Sequence, residues 1–162
     1  MTQMLIGYSD SEDRLWLLLS DDGHQFWLTR RFCANLMLKL EQALTESCPQ
    51  SGTGKDLAPS VRAALEHQAA HETPDGTPLP PTRPREDLPQ ERTSLLLSQI
   101  LMTIDAQYAR LELITPQFER LVVLNRAEAH QLLSALWQRC EGAGWGLRAP
   151  GLLQLPQEDK LR

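Results

Sequence analysis

The stretch Arg14–Leu40, RLWLLLSDDGHQFWLTRRFCANLMLKL, aligns without a gap on Arg110–Leu136, RLELITPQFERLVVLNRAEAHQLLSAL, at a spacing of 96 residues. Arg14 and Leu15 fall on Arg110 and Leu111, Leu17 on Leu113, Leu28 on Leu124, Arg30 on Arg126, Leu36 on Leu132, Met37 on Leu133 and Leu40 on Leu136. In each copy the apolar residues first alternate, the period of a strand, and then recur every three or four residues, the period of a helix. Each copy therefore reads strand, strand, short strand, helix, and the chain reads as one duplicated unit.

Working outward, Met4–Tyr8 is a short apolar strand and the acidic Ser9–Asp13 a loop. In RLWLLLS, Leu15, Leu17 and Leu19 share one face while Trp16 and Leu18 share the other, so this strand is expected to be covered on both sides. Asp21, Asp22 and Gly23 supply a tight hairpin turn to the returning strand Gln25–Leu28. Thr29 caps a helix expected to end near Thr45, with Phe32, Cys33, Leu36, Met37, Leu40 and Leu44 on its apolar stripe. The second copy has strands at Thr93–Thr103, Tyr108–Thr115 and Phe118–Leu124. A capping box at Asn125 and Glu128 then opens a helix striped by Ala129, Leu132, Leu133, Leu136 and Cys140. Gly142, Gly144 and Gly146 end that helix, and Trp145 and Leu147 are expected to dock back on the body.

Between the copies lies Cys48–Arg92, which holds eight of the eleven prolines. Residues 60–72 read as a short alanine-rich helix too poor in apolar groups to dock firmly. Residues 73–92, with Leu79-Pro80-Pro81-Thr82-Arg83-Pro84-Arg85, read as solvated polyproline II. The segment 49–92 is thus expected to be dispensable for folding.

The expected partition is a single domain over 1–162. It comprises a first unit 1–47, a proline-rich insert 48–92, a second unit 93–147 and a tail 148–162 that frays over its last residues. The expected class is α+β, with two pseudo-symmetric strand-strand-strand-helix units. Their antiparallel strands form one sheet or two, covered by helices 30–45 and 126–141. In outline this layout is similar to the Whirly and PUR families, which bind single-stranded nucleic acid, though no residue motif of either is present, and to the head domain of end-joining scaffold proteins, though that family's long coiled-coil stalk is missing.

A net charge of −5 and a sequence pI near 5.4 argue against a broad cationic surface for duplex DNA or anionic lipid. Three cysteines at wide spacings, Cys33 and Cys140 of them on helical stripes, read as buried thiols in a reducing, cytoplasmic setting. No window is long and apolar enough to span a bilayer, so no membrane association is expected.

No catalytic constellation emerges, and an enzyme is not the favoured reading. His67 and His71 have the i, i+4 spacing of a metal pair, but HQAAH lacks the glutamate of a zinc protease and a third ligand, so they read as solvated histidines. Ser51-Gly52-Thr53-Gly54-Lys55 lacks the leading glycine and trailing hydroxyl of a phosphate loop. Asp10, Glu12, Asp13, Asp21 and Asp22 lack calcium-loop spacing. No catalytic residue, metal ligand or cofactor site is therefore assigned. What remains is a surface. Trp16, Leu18 and Trp27, with Arg30 and Arg31 just beyond, are expected to form an outward face that binds a protein partner or a second copy of the chain. The function expected is a small non-catalytic adaptor or assembly module. The alternative is single-strand nucleic-acid binding by stacking on these aromatics, and a weaker one is a small enzyme or ligand-binding protein.

Overall fold

Alternating leucines make the first strands, and the hairpins they form set the architecture. The computed structural model describes residues 4–20, 24–50, 56–72 and 93–154. The chain runs β1 (Met4–Ser9), β2 (Arg14–Leu19), β3 (His24–Leu28), α1 (Arg30–Glu46), α2 (Pro59–Glu72), β4 (Thr93–Leu96), β5 (Gln99–Ile104), β6 (Tyr108–Ile114), β7 (Glu119–Asn125) and α3 (Arg126–Gly142), ending in a 3₁₀ turn at Gly151–Leu153. This is the α+β class, with two strand-strand-strand-helix units whose helices pack against the sheets. The Asp21–Gly23 turn, the phosphate-loop-like Ser51–Lys55, the polyproline stretch 73–92 and the end of the tail lie outside the described residues.

The strands form two sheets, ordered β1-β2-β3-β4 and β5-β6-β7. All pairs are antiparallel except β3–β4, which is parallel. The expected single strand over 93–103 is in fact two. Leu97 N–H donates to the Trp27 carbonyl of the first sheet, and Ser98 N–H donates to the Ile114 carbonyl of the second. The chain therefore changes sheet between these two residues, and the Ser98 hydroxyl holds the corner by donating to the same Ile114 carbonyl.

The 96-residue spacing preserves faces but not register. Leu17 pairs with Ile6 and Phe26, whereas Leu113 pairs with Ile100 and Arg120, not with Met102 and Val122. The second unit is slipped by two residues in both hairpins. A slip of two, unlike a slip of one, returns every side chain to its own face, so Leu111, Leu113, Val122 and Leu124 still point into the core as Leu15, Leu17, Phe26 and Leu28 do.

Both caps form as the sequence dictates. Thr29 Oγ1 accepts from Phe32 N–H, and Asn125 and Glu128 complete a capping box. The buried stripe of α1 is Cys33, Leu36, Met37, Leu40 and Leu44. That of α3 contains the five expected residues and also His130, Gln131 and Ser134. The polar additions are buried because α2 packs on that side of α3. The insert helix is thus part of the body, with Ala63, His67 and Ala70 buried. Sequence reasoning left it loose because its docking rests on polar partners that an apolar-stripe criterion does not count.

After α3, Gly144 and Gly146 adopt φ of +70° and +64°, which a side chain would disfavour. They turn the chain so that Trp145 docks on the body as expected, its Nε1–H donating to Asp13 Oδ1 at 2.8 Å while Tyr8 O–H donates to the same oxygen. The three cysteines are free and buried. Cys33 and Cys140 meet between α1 and α3, and hydrogen bonding to Cys140, with burial, pushes the Cys33 thiol up. Among the described residues no helix is long and apolar enough to cross a membrane.

Candidate functional site

Two places in the fold are candidates, a buried polar network beneath α2 and the outer faces of the sheets. The network begins at Arg126, the first residue of α3. Its guanidinium engages Glu66 of α2 as a two-pronged pair, with Nη2 to Oε2 at 2.7 Å. Nη1 donates to Ser47 Oγ at 2.8 Å and to the Asp105 carbonyl at 2.7 Å, while Nη2 also donates to the Leu44 carbonyl. One side chain thus joins the end of α1, the middle of α2, the β5–β6 turn and the start of α3. It also satisfies a carbonyl in the last turn of α1 that has no partner within its helix. Burial alone would raise the Glu66 pKa, but the Arg126 hydrogen bonds and the nearby His130 ring overcome it and hold the carboxyl at about 2.

From Glu66 the chain of contacts runs on to Ser134. His130 Nδ1 lies 3.1 Å from His67 Nδ1, and His67 Nε2 lies 3.2 Å from Ser134 Oγ. His130 Nε2 is 3.1 Å from Glu66 Oε2 but out of line for a hydrogen bond. The direction of the protons along this chain depends on the tautomers of the two rings, and each of these contacts can hold one proton. Desolvation, with His130 and His71 close by, pushes the His67 pKa down to about 4, so the ring is neutral at ordinary pH. His71, exposed, sets its Nδ1 2.8 Å from the His67 carbonyl.

Ser134 and His67 reach the wall of a cavity of about 550 Å³ between α2, α3 and the 3₁₀ turn, lined also by Val61, Leu65, His71 and Leu152. The order serine, imidazole, imidazole, carboxylate has the form of a nucleophile relay, but two parts of that chemistry are missing. Ser134 sits in mid-helix, where backbone N–H groups are engaged in the helix and offer no oxyanion donors. A ring with a pKa near 4 is a weak base toward a hydroxyl. Among the described residues no group of three or more His, Cys, Asp or Glu side chains could hold a metal ion. What the arrangement does is bolt α2 to α3, assisted by Gln131 Nε2–H donating to the Ala70 carbonyl.

On the first sheet, the outer face predicted for partners is covered. Trp16 and Leu18 are each 2 % exposed and Trp27 is 9 %, in a cluster of their own with Leu5, separate from the main core. Within this chain these side chains are buried, so the outward exposure expected of them is not what the structure has. Gln25 is buried on the same face, its Nε2 without a hydrogen bond. Arg30 and Arg31 are exposed at the start of α1, apart from that cluster.

The corresponding face of the second sheet is open. Leu101, Tyr108, Leu121 and Val123 are 44–53 % exposed. They lie in two cross-strand rows and one flanking position: Leu101, Glu112 and Leu121 in the first row, Thr103, Arg110 and Val123 in the second, and Tyr108 opposite Asn125 beyond. Sequence reasoning passed over this face because Glu112 and Arg110 interrupt it along β6, and its apolar members, Leu101 on one side of that strand and Leu121 and Val123 on the other, come onto one face only through the strand register. Arg110 pairs with Asp105 at 2.9 Å, both half-exposed. Backbone N–H groups of Tyr108 and Gln107, with the Arg110 hydrogen bond, hold the Asp105 carboxyl at about 2. No protein-family model, curated protein or solved structure matches the chain.

Proposed function

We propose that the protein is a small non-catalytic interaction module, an adaptor or assembly factor, that docks a protein partner on the outer face of the β5-β6-β7 sheet. The observation that carries this reading is the half-exposed group Leu101, Tyr108, Leu121 and Val123 on one sheet face. Exposed apolar groups gathered on one sheet face mark contact sites more often than isolated exposed residues do. The counterpart positions one repeat earlier, Leu5, Gln25 and Trp27 for Leu101, Leu121 and Val123, lie on a face that is largely covered within the chain. Three free buried thiols support a reducing, cytoplasmic setting.

The test pairs the wild type with a Leu121→Asp/Val123→Asp variant as baits in affinity capture from the source cell, alongside light scattering of each. Association lost in the variant, with its circular dichroism unchanged, is the expected result. A wild type that captures nothing through this face and stays monomeric overturns the reading.

A further inference from the structure

We infer that the partner of the β5-β6-β7 face is a second copy of this chain, packed face to face with its strands antiparallel about a twofold axis that crosses β6 at Leu111. This rests on the reading of that face as a docking surface. The argument is the charge pattern of the central strand. β6 presents Arg110 and Glu112 on its outer face, of opposite sign and two residues apart, flanked by apolar groups on both neighbouring strands.

A twofold axis in the plane of the interface can lie along the strands or across them. Along the strands it stacks Arg110 on the partner's Arg110 and Glu112 on the partner's Glu112, which like-charge repulsion forbids. Across the strands, midway between the two rows, it exchanges the rows. Arg110 then meets the partner's Glu112 twice by symmetry, Leu121 meets the partner's Val123, Leu101 meets the partner's Thr103, and Tyr108 meets the partner's Ile114. Of the two orientations that keep the strands aligned, this is the one in which the surface is complementary to itself, which is the requirement of an isologous contact. The apolar groups supply the affinity and the central ion pairs fix register and orientation. The Arg110 contact to Asp105 does not oppose this, since exposed ion pairs of that kind are worth little.

The test is sedimentation velocity on the full chain in low salt, with circular dichroism and melting to confirm that each variant folds. Wild type is expected to dimerise. Arg110→Glu and Glu112→Arg alone each place like charges together and are expected to weaken the dimer at least tenfold. The two single variants mixed are expected to form a heterodimer, and the double variant Arg110→Glu/Glu112→Arg to recover the homodimer. A monomeric wild type, or a dimer indifferent to the single charge reversals, overturns the inference. A dimer weakened by both single variants but restored neither by mixing nor by the double variant also overturns it, because the two residues then do not face each other. If these outcomes occur while Leu121→Asp/Val123→Asp still abolishes capture of another protein, the docking face stands and only the choice of partner falls.

Discussion

Arg30 and Arg126 are the same residue at the same place in the repeat, each the first residue of its helix behind a side-chain cap, and their surroundings differ completely. Arg30 is exposed; Arg126 is 7 % exposed and enclosed by Glu66, Ser47 and two carbonyls. Removing one partner of a buried pair leaves the other charge stranded, so Arg126→Ala is expected to cost roughly 3 to 5 kcal/mol. Arg30→Ala should stay within about 0.5 kcal/mol, the usual range at exposed positions away from such features. Chemical denaturation of both variants makes the comparison. The sequence could align these two arginines, but the carboxylate that separates their fates comes from the insert, outside the repeat. His67 gives a second test at this scale. Its pKa is depressed from 6.5 to about 4 on folding, so the unfolded chain takes up its proton first. Its contribution is therefore complete above pH 6.5 and falls by something on the order of 3 kcal/mol as the pH drops to 4. Glu66, depressed from 4.5 to about 2, adds its own loss in the lower window between those two values. In a series of thermal melts, His67→Phe should flatten the 6.5-to-4 leg and leave the lower one. An unchanged slope would show that His67 is not buried neutral.

Elements differ in how far their own sequences specify them. The helices α1 and α3 were legible to within a residue or two, because cap, stripe and stop all agree locally. Leu36 and Leu132 sit at matching points of those stripes, 6 % and 4 % exposed, and Leu36→Ala and Leu132→Ala should each cost roughly 2 to 5 kcal/mol. One costly and one neutral result would show that the two helices do not cover equivalent cores. Helix α2 was legible as a helix but not as part of the core. Its buried residues are two alanines and a histidine, and Glu66 carries much of its attachment. The structure thus argues against replacing 49–92 without loss, because α2 lies within that segment. Replacing 59–72 with a glycine-serine linker strands Arg126 and His130 and should lower the melting temperature by well over 5 °C, given ~3 kcal/mol or more lost from a domain of this size. The strand split at Leu97 and Ser98 was illegible for a different reason. TSLLLSQILMT is a continuous β-prone run, and the corner depends on which carbonyl each N–H finds, a long-range fact.

For the whole molecule, the units are joined among the described residues by the chain crossing from β4 to β5, by the Arg126 contacts to the end of α1 and to α2, by the packing of α1 on α3 and by Trp145 on Asp13, around one shared core. Neither unit can open without disturbing these contacts, so a single cooperative transition is expected. Tryptophan fluorescence reports on both halves, through Trp16 and Trp27 in one and Trp137 and Trp145 in the other, and should coincide with the loss of helical circular dichroism. Two separated transitions would mean that the repeat units melt independently. The crossing also fixes an order of events on the ribosome. Strand β3 is finished at Leu28, but its parallel neighbour β4 begins only at Thr93. At translation rates of about 5–20 residues per second, the intervening chain takes roughly 3–13 s to synthesise. Throughout that interval the nascent protein carries an open edge of sequence HQFWL, the kind of edge that recruits foreign strands. The long connection between β3 and β4 thus leaves the first sheet with an unpaired edge until Thr93–Leu96 arrives to close it.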